Sequence, residues 1–339
     1  LKTVSRPRPN ALLTPYFVAE SKEGTLRAYL GAPETELGKG EYRVLGSGKV
    51  WTTFSRPLDA NGRETTRQVD LNFANPAVLV EALRILFFYV EKGARLIRLD
   101  AIGYCWKKPG SASLHEPECH TLLEVMAAVI ELGAPGIVTI AEVNEPQEKF
   151  FTYLGDPAKK QSDSVYQFTH FPLALHALAT GDPKYYLEWV PTTEVAAGRQ
   201  FTTVLGSHDG MGLKPVRGIL PEEELDRFSD LIVEKHGALP NFAILPGGKK
   251  IIYELCATAW DLVNPRGTKE PFELQLDRYL SVVALGVLHR GIPALYFHGA
   301  IGARSWMPEQ GLDENRTVNR QCFDEQWLGE KLGDPADPH

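Results

Sequence analysis

The sequence predicts an α/β fold, a parallel sheet covered by helices, on three observations. From about Gln68 onward, short apolar runs of strand length alternate with segments of helical period. The runs are almost continuously apolar, as strands buried on both faces are. Three of them lead into a carboxylate, at Asp100, Glu142 and Asp209. Acids at the C-terminal ends of successive strands form the pattern of a (β/α)₈ TIM barrel active site. A doubly wound sheet competes, but the glycine-rich phosphate turn expected after its first strand is missing. About five barrel strands are countable. The expected fold is therefore an incomplete TIM barrel, lacking its first three strands and carrying β-rich insertion subdomains.

Taken in order, residues 1–65 are rich in Pro, Gly, Thr and aromatics and read as a β-rich insertion subdomain. Residues 66–209 form the first barrel part. Asn75 caps a helix with Pro76 in its first turn, apolar positions at helical spacing continue to Val90, and Gly93 stops it. Strand Leu96–Ala101, helix Cys119–Leu132, strand Ile137–Ala141, strand Val165–Phe168, a helix from Pro172 and strand Thr202–Gly206 follow. Residues 210–270 are mixed and charged and read as a second insertion, with Glu222, Glu223 and Glu224 at a helix start where negative charge is favoured. Residues 271–339 complete the barrel part with helix Arg278–Leu288 and strand Ala294–Phe297.

The 339 residues are 43% hydrophobic and 23% charged, an ordinary globular composition, and the net charge of −7 argues against nucleic acid or an anionic membrane as partner. No run approaches the roughly 18 apolar residues of a membrane span. Four widely spaced cysteines without a CxxC fit reduced thiols in a cytoplasm rather than a disulfide or metal framework. His115 and His120 do not have metal-site spacing, and Pro117 stands between them. No metal or other cofactor is expected.

The chemistry starts at Arg98 and Asp100. Two residues apart on a strand, they share a face, and a guanidinium there keeps the carboxylate ionised, as a nucleophilic Asp requires. A structural Arg–Asp pair in an ordinary parallel strand would read the same way. The coincidence with Glu142 and Asp209 favours a site.

The segments Gln68-Val69-Asp70-Leu71-Asn72, Arg98-Leu99-Asp100-Ala101, Ala141-Glu142-Val143-Asn144 and Ser207-His208-Asp209-Gly210 resemble, in order, the characteristic regions of the α-amylase superfamily. Together with Arg6-Pro7-Arg8-Pro9, Gly291-Ile292-Pro293 and Asn315-Arg316, they are similar to its sucrose phosphorylase group, including glucosylglycerate phosphorylases. The resemblance implies a retaining α-glucoside phosphorylase that transfers glucose to inorganic phosphate. Asp100 would be the nucleophile, Glu142 the acid/base and Asp209 the stabiliser of the transition state. Arg98, Tyr104, His208 and Arg316 would bind substrate beside them. Arg8 and Lys214, with Arg217, are candidates for an anion site, and solvated surface charge is the plain reading of the last two. Neighbouring negative charge is expected to favour the protonated form of Glu142.

Asp70 and Asn72 are expected to be structural, and Trp51 and Trp306 suit packing as well as sugar stacking. Cys256 stands where the group's motif has Asn. The chain begins at Leu1 and shows neither the group's Asn-His pair nor its C-terminal β domain, so it is expected to be truncated at both ends. An α-glucosidase or transglucosylase, and an inactive carbohydrate-binding fragment, are the alternative readings.

Overall fold

The computed structural model describes Thr53 and residues 70–108, 111–244 and 248–334. The predicted β-rich segment 1–65, with Arg6, Arg8 and Trp51, lies outside the described residues except for Thr53. The chain divides into two compact units. One comprises Leu1–Val143, Phe151–Asp163 and Ala243–Lys250, and the other Asn144–Phe150, Ser164–Phe242 and Ile251–His339.

In the first unit, helix α1 (Pro76–Glu91) starts as its sequence dictates. The Asn75 side chain accepts the Ala77 N–H, and Pro76 occupies the first turn where no N–H is needed. Strand β1 (Leu96–Leu99) lies parallel to β2 (Val138–Ala141), in register from Leu96 opposite Val138 to Leu99 opposite Ala141. Helix α2 (Pro117–Gly133) connects them. Leu86 of α1, Met126 and Ile130 of α2, and Ile137 form the core, with Ile97 and Leu99 of β1 packed against it. β1 stops two residues short of the expected Ala101. Ala101 takes a left-handed conformation, φ 48°, which turns the chain out of the sheet directly after Asp100.

The second unit repeats the alternation. Strands β3 (Ser164–Gln167), β4 (Gln200–Leu205) and the later Ile292–Leu295 are parallel. Ser164 faces Gln200 at one side of β4, and Thr202 faces Ile292 at the other. Helix α3 (His170–Thr180) follows β3. The segment predicted as an insertion contains β5 (Met211–Gly212), helix α4 (Glu222–Leu231) and β6 (Lys250–Cys256). α4 starts at the glutamate run, and β5 pairs antiparallel with β6. Helix α5 (Phe272–Leu288) begins six residues earlier than its period suggests and leads to β7 (Ile292–Leu295). Leu173 and Leu175 of α3, Leu205 of β4, Phe228 of α4, Val282 of α5 and, from the segment before α5, Trp260 share one core. Each fully buried aliphatic side chain there contributes about 1.5–3 kcal/mol. The turn into β7 requires glycine: Gly291 has φ 118°, and a Cβ would lie 2.4 Å from the Phe201 carbonyl oxygen. Among the described residues, no helix is long and apolar enough to cross a membrane.

His170, at the start of α3, is fully buried beside the rings of Tyr186, Trp189 and His289. Burial, helped by His289, pushes its pKa down to about 3, so it is neutral in the fold. The unfolded chain binds a proton there near pH 6.5 and the folded chain does not. This contribution to stability is whole above pH 6.5 and is lost, by about 1.4 kcal/mol per pH unit, as pH falls towards about 3. Urea midpoints of wild type and His170→Gln between pH 4 and 7 are expected to converge as pH falls. A constant gap would exclude this origin.

Candidate active site

The first unit gathers Arg98, Asp100, Glu142 and Tyr104 at the C-terminal ends of β1 and β2. Arg98 Nη1 lies 2.6 Å from Asp100 Oδ1, and its Nη2 lies 4.0 Å from Glu142 Oε2. One guanidinium therefore faces both carboxyls, as the strand alternation anticipates for the first of them. The turn at Ala101 aims its N–H at Glu142 Oε2, 2.9 Å away. The two acids differ in exposure: the Asp100 side chain is 70% accessible and that of Glu142 15%. An open carboxylate beside a cation is suited to attack, and a sheltered one to proton transfer. Tyr104 ends the one-turn helix Ile102–Tyr104, half-buried, its N–H bonded to the Ala101 carbonyl.

Among the described residues, Ala101, Ser113 and His115 are the non-glycine positions with positive φ, at 48°, 49° and 57°. All three lie in the segment that follows Asp100. Each such conformation costs on the order of 1–3 kcal/mol and persists only where neighbours hold it. His115 is held by its N–H to the Gly103 carbonyl and its ring Nδ1 to the Tyr153 hydroxyl at 2.7 Å. His120 pairs with Gln161 at 2.8 Å.

The second unit carries Asp209, His208, Arg316 and Lys214. Asp209 lies four residues beyond the end of β4. Its Oδ1 accepts Arg316 Nη1 at 3.1 Å and Arg320 Nη2 at 2.8 Å, and its carbonyl accepts Asn319 Nδ2 at 2.7 Å. His208 is exposed, with its ring edge on Tyr296 and its Nε2 3.8 Å from Asp209. Arg316 is gripped from its other side by Glu254 of β6, through Nε at 2.9 Å and Nη2 at 2.7 Å. The Glu254 side chain is 2% accessible and also accepts Asn241 Nδ2 at 2.6 Å. Burial opposes the charge on Arg316, but Glu254 and Asp209 outweigh it and raise the pKa further. Lys214 is ion-paired, its Nζ 2.6 Å from Glu145 Oε1. Arg217 pairs with Glu222.

Among residues named for other reasons, Lys107 meets Asp70, which fits the structural role expected of that acid. Trp306 is half-buried, with its backbone N–H on the Val318 carbonyl. Cys256 is buried against Asn241 and Glu254, and burial followed by the Glu254 charge pushes its thiol pKa up. The sequence reading missed Glu254, Arg320 and Glu145 as partners of the candidate residues. All three stand within or beside motifs already singled out, which was the available signal.

Residues 62–215 match the model of the alpha amylase catalytic domain. The chain is 35% identical over 290 residues to a glucosylglycerate phosphorylase of Spirochaeta thermophila, covering 84% of this chain and 46% of that protein. It is 33% identical to a glucosylglycerate phosphorylase of Allomeiothermus silvanus, over 99% of this chain and 54% of the relative. The chain thus spans about half the length of these curated relatives. The crystal structure of sucrose 6F-phosphate phosphorylase from Thermoanaerobacter thermosaccharolyticum superposes with a TM-score of 0.74 at 19% identity, over 96% of this chain and 63% of that one. That likeness shows the fold, α/β and part of a TIM barrel, as the alternation and strand-end acids predict. Residues 62–215 thus carry an alpha-amylase catalytic-domain segment, and the chain is similar over most of its own length to curated glucosylglycerate phosphorylases.

Proposed function

We propose that this chain carries catalytic machinery of a retaining α-glucoside phosphorylase, acting on glucosylglycerate or sucrose and inorganic phosphate. The observation that carries the reading is the single Arg98 guanidinium facing an open Asp100 and a sheltered Glu142. The names of the relatives above 30% identity favour glucosylglycerate as donor.

In this reading Asp100 attacks the anomeric carbon and the glucoside C–O bond breaks. Glu142 protonates the departing oxygen. Its Oε2 accepts the Ala101 N–H, which supports holding the carboxyl in place for that transfer. A retaining mechanism brings the two carboxyls to about 5–5.5 Å. Phosphate then attacks the glucosyl ester, returns a proton to Glu142, and leaves as α-glucose 1-phosphate. Asp209, held by Arg316 and Arg320, binds glucose hydroxyls with His208, and Tyr104 lies against the ring. Lys214 and Arg8 serve the anionic acceptor side, where a cation on phosphate is worth most when water is excluded. The four cysteines are free thiols, in keeping with a cytoplasmic enzyme.

The full-length protein, incubated with glucosylglycerate or sucrose and phosphate, is expected to release glucose 1-phosphate. Release of free glucose alone would assign it to the hydrolases. No turnover of any α-glucoside would leave a carbohydrate-binding role.

A further inference from the structure

Lys107 is a lysine where lysines are rarely found: its side chain is 1% accessible. Its ammonium has three protons to place, and oxygens of three described residues lie around it. Nζ donates to the Tyr104 carbonyl at 2.6 Å and to Thr53 Oγ1 at 2.8 Å, and lies 3.4 Å from Asp70 Oδ2. Asp70 Oδ2 also accepts the Thr53 N–H at 2.9 Å and the Thr53 hydroxyl. The Tyr104 ring lies 5.9 Å from Nζ, within reach of a cation–π contact. Burial lowers the pKa of Lys107, and Asp70 opposes that shift.

What this cluster grips is the turn behind Asp100. The Tyr104 carbonyl held by Lys107 belongs to the residue whose N–H bonds the Ala101 carbonyl at 3.0 Å. Ala101, in its left-handed conformation, in turn presents its N–H to Glu142. A short rigid path therefore runs from the ammonium through one helical turn to the backbone between the two candidate catalytic acids. A side chain meant only to fill this space would be apolar, since an apolar group there carries no desolvation cost.

We infer that Lys107 is a positioning residue: anchored on Asp70 and Thr53, it fixes the Ala101–Tyr104 turn and with it Asp100 and Tyr104. The catalytic part of this inference rests on the phosphorylase reading above. Lys107 touches no substrate. It acts through the backbone it holds.

The test uses the full-length protein with Lys107→Met and with the double variant Lys107→Met/Asp70→Asn, which also removes the carboxylate left without its cation. Lys107→Met is expected to lower kcat about 100-fold, the effect of a small misplacement of reacting groups, with KM changed far less. Amide exchange at residues 101–104 is expected to quicken at least about tenfold by local opening. The double variant should regain Tm without regaining kcat. Recovery of kcat together with Tm would overturn the positioning role and leave a structural one. Unchanged exchange at 101–104 would overturn it as well. Thr53→Val, which removes one oxygen and no charge, provides a gentler variant with the same expected direction in exchange. Should the wild type form no glucose 1-phosphate, the phosphorylase reading falls, and the exchange measurement still decides whether Lys107 holds the turn.

Discussion

Asp100→Asn is expected to reduce glucosyl transfer by about 10⁴-fold or more while leaving the fold intact. The size of the loss follows from removing the proposed nucleophile, for which no other group substitutes in the same mechanism. The intact fold follows from exposure: the Asp100 side chain is 70% accessible and its ion pair with Arg98 is open to solvent. Such pairs contribute about 0–1 kcal/mol, so the urea midpoint should scarcely move. The wild type should also gain the mass of a 2-deoxy-2-fluoroglucosyl group when treated with the corresponding glucosyl fluoride, because a slowed second step lets the ester accumulate. The variant should gain none. Activity within tenfold of wild type would remove Asp100 as nucleophile and return the Arg98–Asp100 pair to a structural role.

The elements that organise each unit were legible because they depend on local rules. Asn75 with Pro76 announces α1, the three glutamates announce α4, and β1, β2, β3 and β4 lie within two residues of their apolar runs. The acids were legible as a set, since chance rarely places one after three of four consecutive strand-length runs. What the sequence concealed is what long-range contact decides. Lys107 stands next to Lys108 and carries no mark of burial, which arises from Thr53 and Asp70. Glu254 looks like the polar position of an alternating strand, and only the return of Arg316 makes it half of an ion pair. Ala101 has no left-handed preference of its own. Its φ of 48° is sustained by the bonds on either side, its N–H to Glu142 and its carbonyl to Tyr104.

Arg316→Ala is expected to destabilise the protein by about 3–5 kcal/mol, the cost of leaving a buried charge without its partner. Glu254 would keep Asn241 but lose both bonds from the guanidinium, with 2% of its side chain open to water. Asp209 would keep Arg320, so the loss falls mainly on the interior end of the network. Glu254→Leu in the same chain removes the stranded carboxylate. The double variant should therefore recover most of the lost stability, because a well-packed apolar pair commonly equals a buried ion pair. Activity should separate from stability here. Neither variant restores the Arg316 bond to Asp209, so both should transfer glucose poorly even where the double variant melts near wild type. Equal destabilisation in the single and double variants would show that lost packing of the Arg316 stem, rather than the Glu254 charge, sets the cost.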